Sequence, residues 1–252
     1  MITSHGNGFK SRPCGWPGLF LALLLFAGPV LITRGEPGQL PPPIPRDDPE
    51  QMLRQATTEL LDVSRAARSY AQADPERYYA AVLQVLDQVL DVRYFARGVM
   101  ANYASSRQYK ALKTDAERAA FRERVDRFAA ALKRVFLVKY SDALLTFEGE
   151  RIDLEPQPAG AGDPDRASML QTIYDKGGET YHVQYSLHRN DDGWLVINVI
   201  VEDINLGQIY RSQFAEAVEK NRGDIDYVVD HWVEIMRAQS EAETHGQAGA
   251  AG

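Results

Sequence analysis

The chain has 252 residues, 44% of them hydrophobic, a single cysteine and a net charge of −7. Beyond residue 35 it carries 25 Lys and Arg against 35 Asp and Glu, a balance that disfavours nucleic acid and bare anionic membrane as partners. Cys14 precedes everything that reads as a folded domain, so disulfides, a thiolate nucleophile and thiol metal ligands are excluded there.

Lys10 and Arg12 lead into an apolar run, Leu19 to Ile32, the order of a secretory signal. From Trp16 to Ile32 there are 17 residues, interrupted by Pro17, Gly18, Gly28 and Pro29, where a membrane span needs ~20. Residues 1–35 therefore read as a signal peptide. Thr33-Arg34-Gly35 is only a loose cleavage site, which leaves an uncleaved signal anchor as the alternative. Cys14 lies before the apolar run, which rules out a lipoprotein signal. Residues 36–49, with Pro41-Pro42-Pro43-Ile44-Pro45, form a polyproline-like tether. Residues 50–238 form one domain, and 239–252 lack periodicity and read as a disordered tail.

The domain opens with helices. Residues 50–73 are rich in Ala and Arg around Leu53, Leu60, Leu61 and Val63. Asp74-Pro75 is an N-cap followed by proline at the first helical position. The helix it starts places Tyr79, Val82, Leu83, Leu86, Val89 and Leu90 on one side. A short helix spans residues 92–100. Thr114 and Glu117 form a capping-box pattern ahead of a long helix with Phe121, Val125, Phe128, Leu132, Phe136, Tyr140, Leu144 and Phe147.

Strands follow, over 151–155, 168–175 and 180–189, the last alternating Tyr181, Val183, Tyr185 and Leu187 with polar residues. Asn190 to Gly193 is a hairpin turn. The fourth strand, 194–202, is apolar at nearly every position, which predicts cover on both faces. Two closing helices are expected over 206–220 and 224–238. The fold class is α+β, with helices packed against a curved antiparallel sheet of about four strands, enclosing an apolar pocket.

Few residues invite chemistry. His182 and His188 are six positions apart on one strand, ~20 Å, so they cannot share a metal, and His231 stands alone. No metal site, catalytic residue or cofactor is expected. Glu202-Asp203 could supply a general base at a pocket mouth, but capping of the next helix is the simpler role. Arg211 could meet a phosphate or form an ordinary surface salt bridge. The aromatic stripe of the long helix is most simply core.

Several segments resemble the MlaC family of phospholipid carriers, also called toluene-tolerance auxiliary proteins. They are Val196 to Glu202, Ile204-Asn-Leu206, Tyr210-Arg-Ser-Gln-Phe214, Leu90 to Ala96, and Thr114 to Arg118 followed by Phe121 and Phe128. The resemblance covers roughly residues 50–236. It departs at Asn198, where the family usually has Asp, and at Asp203, where it usually has Gly. The resemblance implies a non-enzymatic periplasmic shuttle that holds a phospholipid's acyl chains and moves between an outer-membrane lipoprotein complex and an inner-membrane ABC transporter. The residues expected to line its pocket are Tyr181, Val183, Tyr185, Ile200, Ile204, Tyr210 and Phe214 from the sheet side. Leu86, Phe128, Leu132 and Phe136 would line it from the helices. A cone-fold isomerase or hydrolase using Glu202 or Asp203 is the alternative, and a signal-anchored protein-interaction subunit a third.

Overall fold

The computed structural model describes residues 42–147, 149–158 and 163–250. The expected signal segment and residues 36–41 of the tether lie outside the described residues. Eight α-helices and five strands are described, and the helices come mostly first. Helix α1 (Pro49–Ala67) starts at Asp48, whose side chain accepts from the Gln51 amide. Helix α2 (Pro75–Val89) is capped by Asp74 and begins with proline as expected. Helix α3 (Val92–Met100) is capped by Asp91, and a 3-10 turn, Ala101–Ala104, joins it to the short helix α4 (Ser106–Ala111). The long helix α5 (Asp115–Thr146) begins with the full capping box of Thr114 and Glu117. These caps satisfy amides that have no partner inside the helix, and all are local in sequence.

Strands β1 (Gly149–Gln157), β2 (Arg166–Asp175), β3 (Thr180–Asn190), β4 (Gly193–Val201) and the two-residue β5 (Ile204–Asn205) form one antiparallel meander in the order β1-β2-β3-β4-β5. One face of this sheet packs on the helices through Ile152, Leu154, Met169, Ile173, Val183, Tyr185, Leu187, Val199 and Val201, all buried. A polar bridge crosses this interface. Tyr185 Oη donates to Gln171 Oε1 at 2.8 Å, and Gln171 Nε2 reaches Thr57 Oγ1 of α1 at 3.4 Å. The helices touching the sheet are α1, α2, α3 and α6 (Leu206–Lys220), while α5 lies against the helical layer together with α7 (Ile225–Asp230) and α8 (Trp232–Ala250).

Four expectations change. The segment before α1 is not a free tether over its last residues: Ile44 is buried and its amide donates to Gln88 Oε1 at 2.9 Å. Trp194 N–H donates to the Arg46 carbonyl at 2.8 Å, so one isoleucine and a backbone bond hold this stretch on the domain. Helix α1 ends at Ala67, and turns occupy the residues before Asp74. The last expected helix breaks at His231, which lets Trp232 enter the core fully buried. Beyond residue 239, helix continues through Ala250 instead of a structureless tail; the alanines and glutamates there favour helix despite the missing apolar period.

Strand β4 is not covered equally on its two faces. Trp194, Leu195, Val196, Val199 and Val201 are buried, but Ile197 and Ile200 are only half-buried. Ser186 pairs with Asn198 and Leu187 with Val196, so Ile197 is an extra residue, a bulge that bends the strand. Next to the bulge, Leu90 bridges Val196 in parallel, and the Asp91 amide donates to the Val196 carbonyl at 2.9 Å.

Candidate functional site

Between β4 and the helices lies an apolar cavity of about 100 Å³, measured as space open to the centre of a water molecule. One water occupies about 10–15 Å³ on that measure, so the space is several times larger than a packing defect. Its walls come from six places. Leu60 of α1 and Val82 and Leu86 of α2 form one side. Leu90, Asp91, Val92 and Phe95 form the α2–α3 corner. Phe136, Leu137, Tyr140, Ser141 and Leu144 come from the second half of α5. Val196 to Val199 and Val201 come from β4, and Leu206 opens α6.

Helix α5 divides its work along its length. Phe121, Val125, Phe128 and Leu132 are buried before Phe136, away from the cavity. Phe128 meets Phe214 of α6 and Trp232 of α8 at ring-centroid separations of 4.7 and 5.3 Å. Edge and tilted contacts of this kind add to simple burial, and they close the helical end of the protein. From Phe136 onward the residues at i, i+1, i+4, i+5 and i+8 turn to the cavity, one side of a 3.6-residue helix. Phe136 is backed by Phe95 at 5.6 Å and Tyr210 at 5.2 Å.

Of the residues expected to line the pocket, Leu86 and Phe136 do so. Tyr210 stands one layer behind, its hydroxyl 3.3 Å from that of Tyr140, and burial pushes its ionisation well above the ordinary tyrosine range. Phe128, Leu132 and Phe214 are core. Val183 and Tyr185 are core on the helix-facing side of β3. Tyr181 is half-buried, its hydroxyl donating to Asp175. Ile200 pairs with Gln184 on the face of β4 opposite Val199 and Val201, and Ile204 belongs to β5. The lining that was missed is mostly small or medium aliphatic: Leu60, Val82, Leu137, Leu144, Val199 and Val201. The phase of α5 after Phe136 is the signal that could have found part of it.

The polar groups at the α2–α3 corner and on β4 are hydrogen-bonded. Asp91 Oδ1 accepts the Tyr94 amide and Oδ2 lies 2.9 Å from His188 Nε2. The Tyr94 ring packs at a tilt against His188, with centroids 4.9 Å apart. Asn198 donates from Nδ2 to Asn205 Oδ1 at 3.2 Å and accepts the Gly207 amide at 3.2 Å. A Cβ on Gly207 would come 2.7 Å from Asn198 Oδ1, so a larger residue there would displace the Asn198 side chain from its present position. With asparagine at 198, the acceptor Asn205 Oδ1 gains a donor that an aspartate could not supply.

Glu202 and Asp203 do not line the cavity. They form the β4–β5 turn, both at positive φ, 47° and 67°, and the cap of α6 is Asn205, which accepts from Gln208. The expected capping role thus passes to Asn205. The carboxylate of Glu202 accepts the His182 amide. Among the described residues Arg211 meets no acidic partner in a salt bridge; its Nε donates to the Gly98 carbonyl at 2.9 Å, tying α6 to α3. Among the described residues, no three His, Cys, Asp or Glu side chains gather as a metal site, and no helix is long and apolar enough to cross a membrane.

Comparison with known proteins adds three findings. Residues 54–234 match the model of the family described as MlaC protein. The toluene tolerance protein ttg2D of Pseudomonas putida is 32% identical over 224 residues, covering 88% of this chain and 93% of that protein. A phospholipid-binding protein from Ralstonia solanacearum, solved in complex with a phospholipid, superposes with a TM-score of 0.55 at 18% identity. That match covers 76% of this chain and 98% of the other.

Proposed function

The chain belongs to the MlaC family, and from that premise we propose that it is a periplasmic phospholipid carrier, not an enzyme, which receives lipid acyl chains in the cavity between β4 and the helices. The observation that carries this reading is the lining: in a wall drawn from α1, α2, α3, α5, α6 and β4, the side chains are almost all hydrocarbon. Each methylene moved from water into such a space is worth ~0.8 kcal/mol, enough to draw a chain from a bilayer without a cationic clamp. The Ralstonia relative, with the same fold, was solved with a phospholipid bound. The carboxylates weighed as a general base, Glu202 and Asp203, stand outside the lining, which removes the geometric support for an isomerase or hydrolase. In the proposed cycle residues 1–35 direct export. The domain then moves lipid between an outer-membrane lipoprotein complex and an inner-membrane ABC transporter.

Solvent extraction and mass spectrometry of protein purified from the periplasm tests this. Phospholipid of mixed headgroups at a fixed molar ratio is expected, and Val82→Phe, which puts a ring into the cavity, should lower that ratio severalfold with the fold retained. Protein free of lipid, or an unchanged ratio in Val82→Phe, refutes the reading.

A further inference from the structure

The cavity contains one hydroxyl that the protein leaves unused. Ser141 is 3% exposed and lines the cavity, and its Oγ has no hydrogen-bond partner among the described residues. Other hydroxyls on the helices behave differently. Thr57 Oγ1 donates to the Leu53 carbonyl at 2.6 Å, Ser64 Oγ to Leu60 at 2.8 Å, and Thr58 and Thr146 make the same bond four residues back. This back-bonding is the usual resting place of a helical hydroxyl. Ser141 lies on the cavity side of α5, between Leu137 and Leu144, and does not take it. Its backbone carbonyl is engaged separately, by the Tyr78 hydroxyl at 3.1 Å. A buried hydroxyl without a partner is destabilising, and alanine in its place would remove that cost.

We propose that Ser141 Oγ is a recognition group for an oxygen of the bound lipid. The shared chemistry is an oxygen able to share a proton with a hydroxyl, carried either as the ester carbonyl at the glycerol or as a hydroxyl on the acyl chain. The cavity thus selects oxygenated lipid over plain hydrocarbon of equal length. This rests on the carrier reading and adds selectivity to it.

The test incubates the purified protein with phosphatidylglycerol vesicles, reisolates it and measures bound lipid by mass spectrometry. One arm offers equimolar diacyl and dialkyl-ether lipids of equal chain length. The other offers plain and hydroxylated acyl chains. Wild type should enrich the oxygenated species about threefold to tenfold in one arm, the value of one net hydrogen bond, and the arm identifies which oxygen is bound. Ser141→Ala should bring that ratio to about one without lowering the melting temperature, and Ser141→Thr should restore the preference. Equal ratios in wild type and Ser141→Ala, with lipid taken up by both, overturn the role of Ser141 and leave the carrier intact. A wild-type protein that takes up no lipid overturns the carrier reading itself.

Discussion

Ala101 ends α3 with φ 48° and ψ −113°, a region that is open to glycine and strained for any residue with a Cβ. Conformations of this kind cost about 1–3 kcal/mol each. Replacing Ala101 with glycine removes the Cβ and relieves that strain. Glycine also has a larger unfolded-state entropy, which offsets about 0.5–1 kcal/mol of the gain. The expected net effect of Ala101→Gly is a stabilisation of about 0.5–2 kcal/mol. For a protein of this size, that raises the melting temperature by about 1–8 °C. The control is the same chemical change in a relaxed place. Ala130 is exposed in the middle of α5, and Ala130→Gly should cost about 1 kcal/mol. Urea unfolding followed by far-UV circular dichroism reads both, with the slopes compared to confirm an unchanged transition. Opposite signs are required. A destabilisation of Ala101→Gly that matches Ala130→Gly refutes the claim that the turn at 101 is strained.

Two further outcomes follow from ionisable groups. Tyr78 is buried, and burial pushes its phenol up to about 12 from an ordinary value of 10.0. Below pH 10 both states keep the proton. Between 10 and 12 the unfolded chain ionises first, so stability falls across that window by about 2–3 kcal/mol from this group. Tyr78→Phe should flatten the alkaline limb, measured by urea midpoints at pH 9, 10, 11 and 12; an unchanged slope refutes the assignment. At the acid end, the hydrogen bonds from Arg124, at 2.9 and 2.7 Å, hold the Asp226 carboxyl below its ordinary value of 3.8, assisted by the charges of Arg124 and Arg127. Its stabilisation is present above pH 3.8 and lost as pH falls through the lowered value. Asp226→Asn should cost about 1 kcal/mol at pH 7 after solvent screening and converge with wild type in acid, a pattern that thermal melts from pH 7 to 2.5 would show or deny.

Much of the fold was legible because its signals are local. Asp74-Pro75 and the Thr114–Glu117 box mark helix starts through contacts three residues apart, and the alternation from Tyr181 to Leu187 marks a half-buried strand. The site was harder to read because lining is a property of neighbours. Phe128 and Phe214 look like pocket residues in sequence, yet Trp232, from a helix broken at His231, draws both into a separate aromatic core. The inward phase of β4 could not be read past Ile197, since a bulge exchanges the faces on either side of it, and so Ile200 was placed inside where Val199 and Val201 belong. Ile44 is one apolar residue among prolines, and nothing local says that it is buried. Ser141 is likewise an ordinary serine until the cavity around it is seen.

The junction at Leu90 and Asp91 bears on how the cavity can change its width. There the chain passes from α2 to α3 while bonded to Val196 through its backbone, and the Asp91 side chain holds both the start of α3 and His188. Sheet and helices are one hydrogen-bonded piece along that edge. Widening at this edge would break backbone bonds, whereas α5 in the far wall is tied to α1 and α2 by side chains, among them the Tyr78 hydroxyl on the Ser141 carbonyl and Arg68 on the Leu145 carbonyl. Such a wall yields by sliding rotamers and leaves the backbone bonds unbroken.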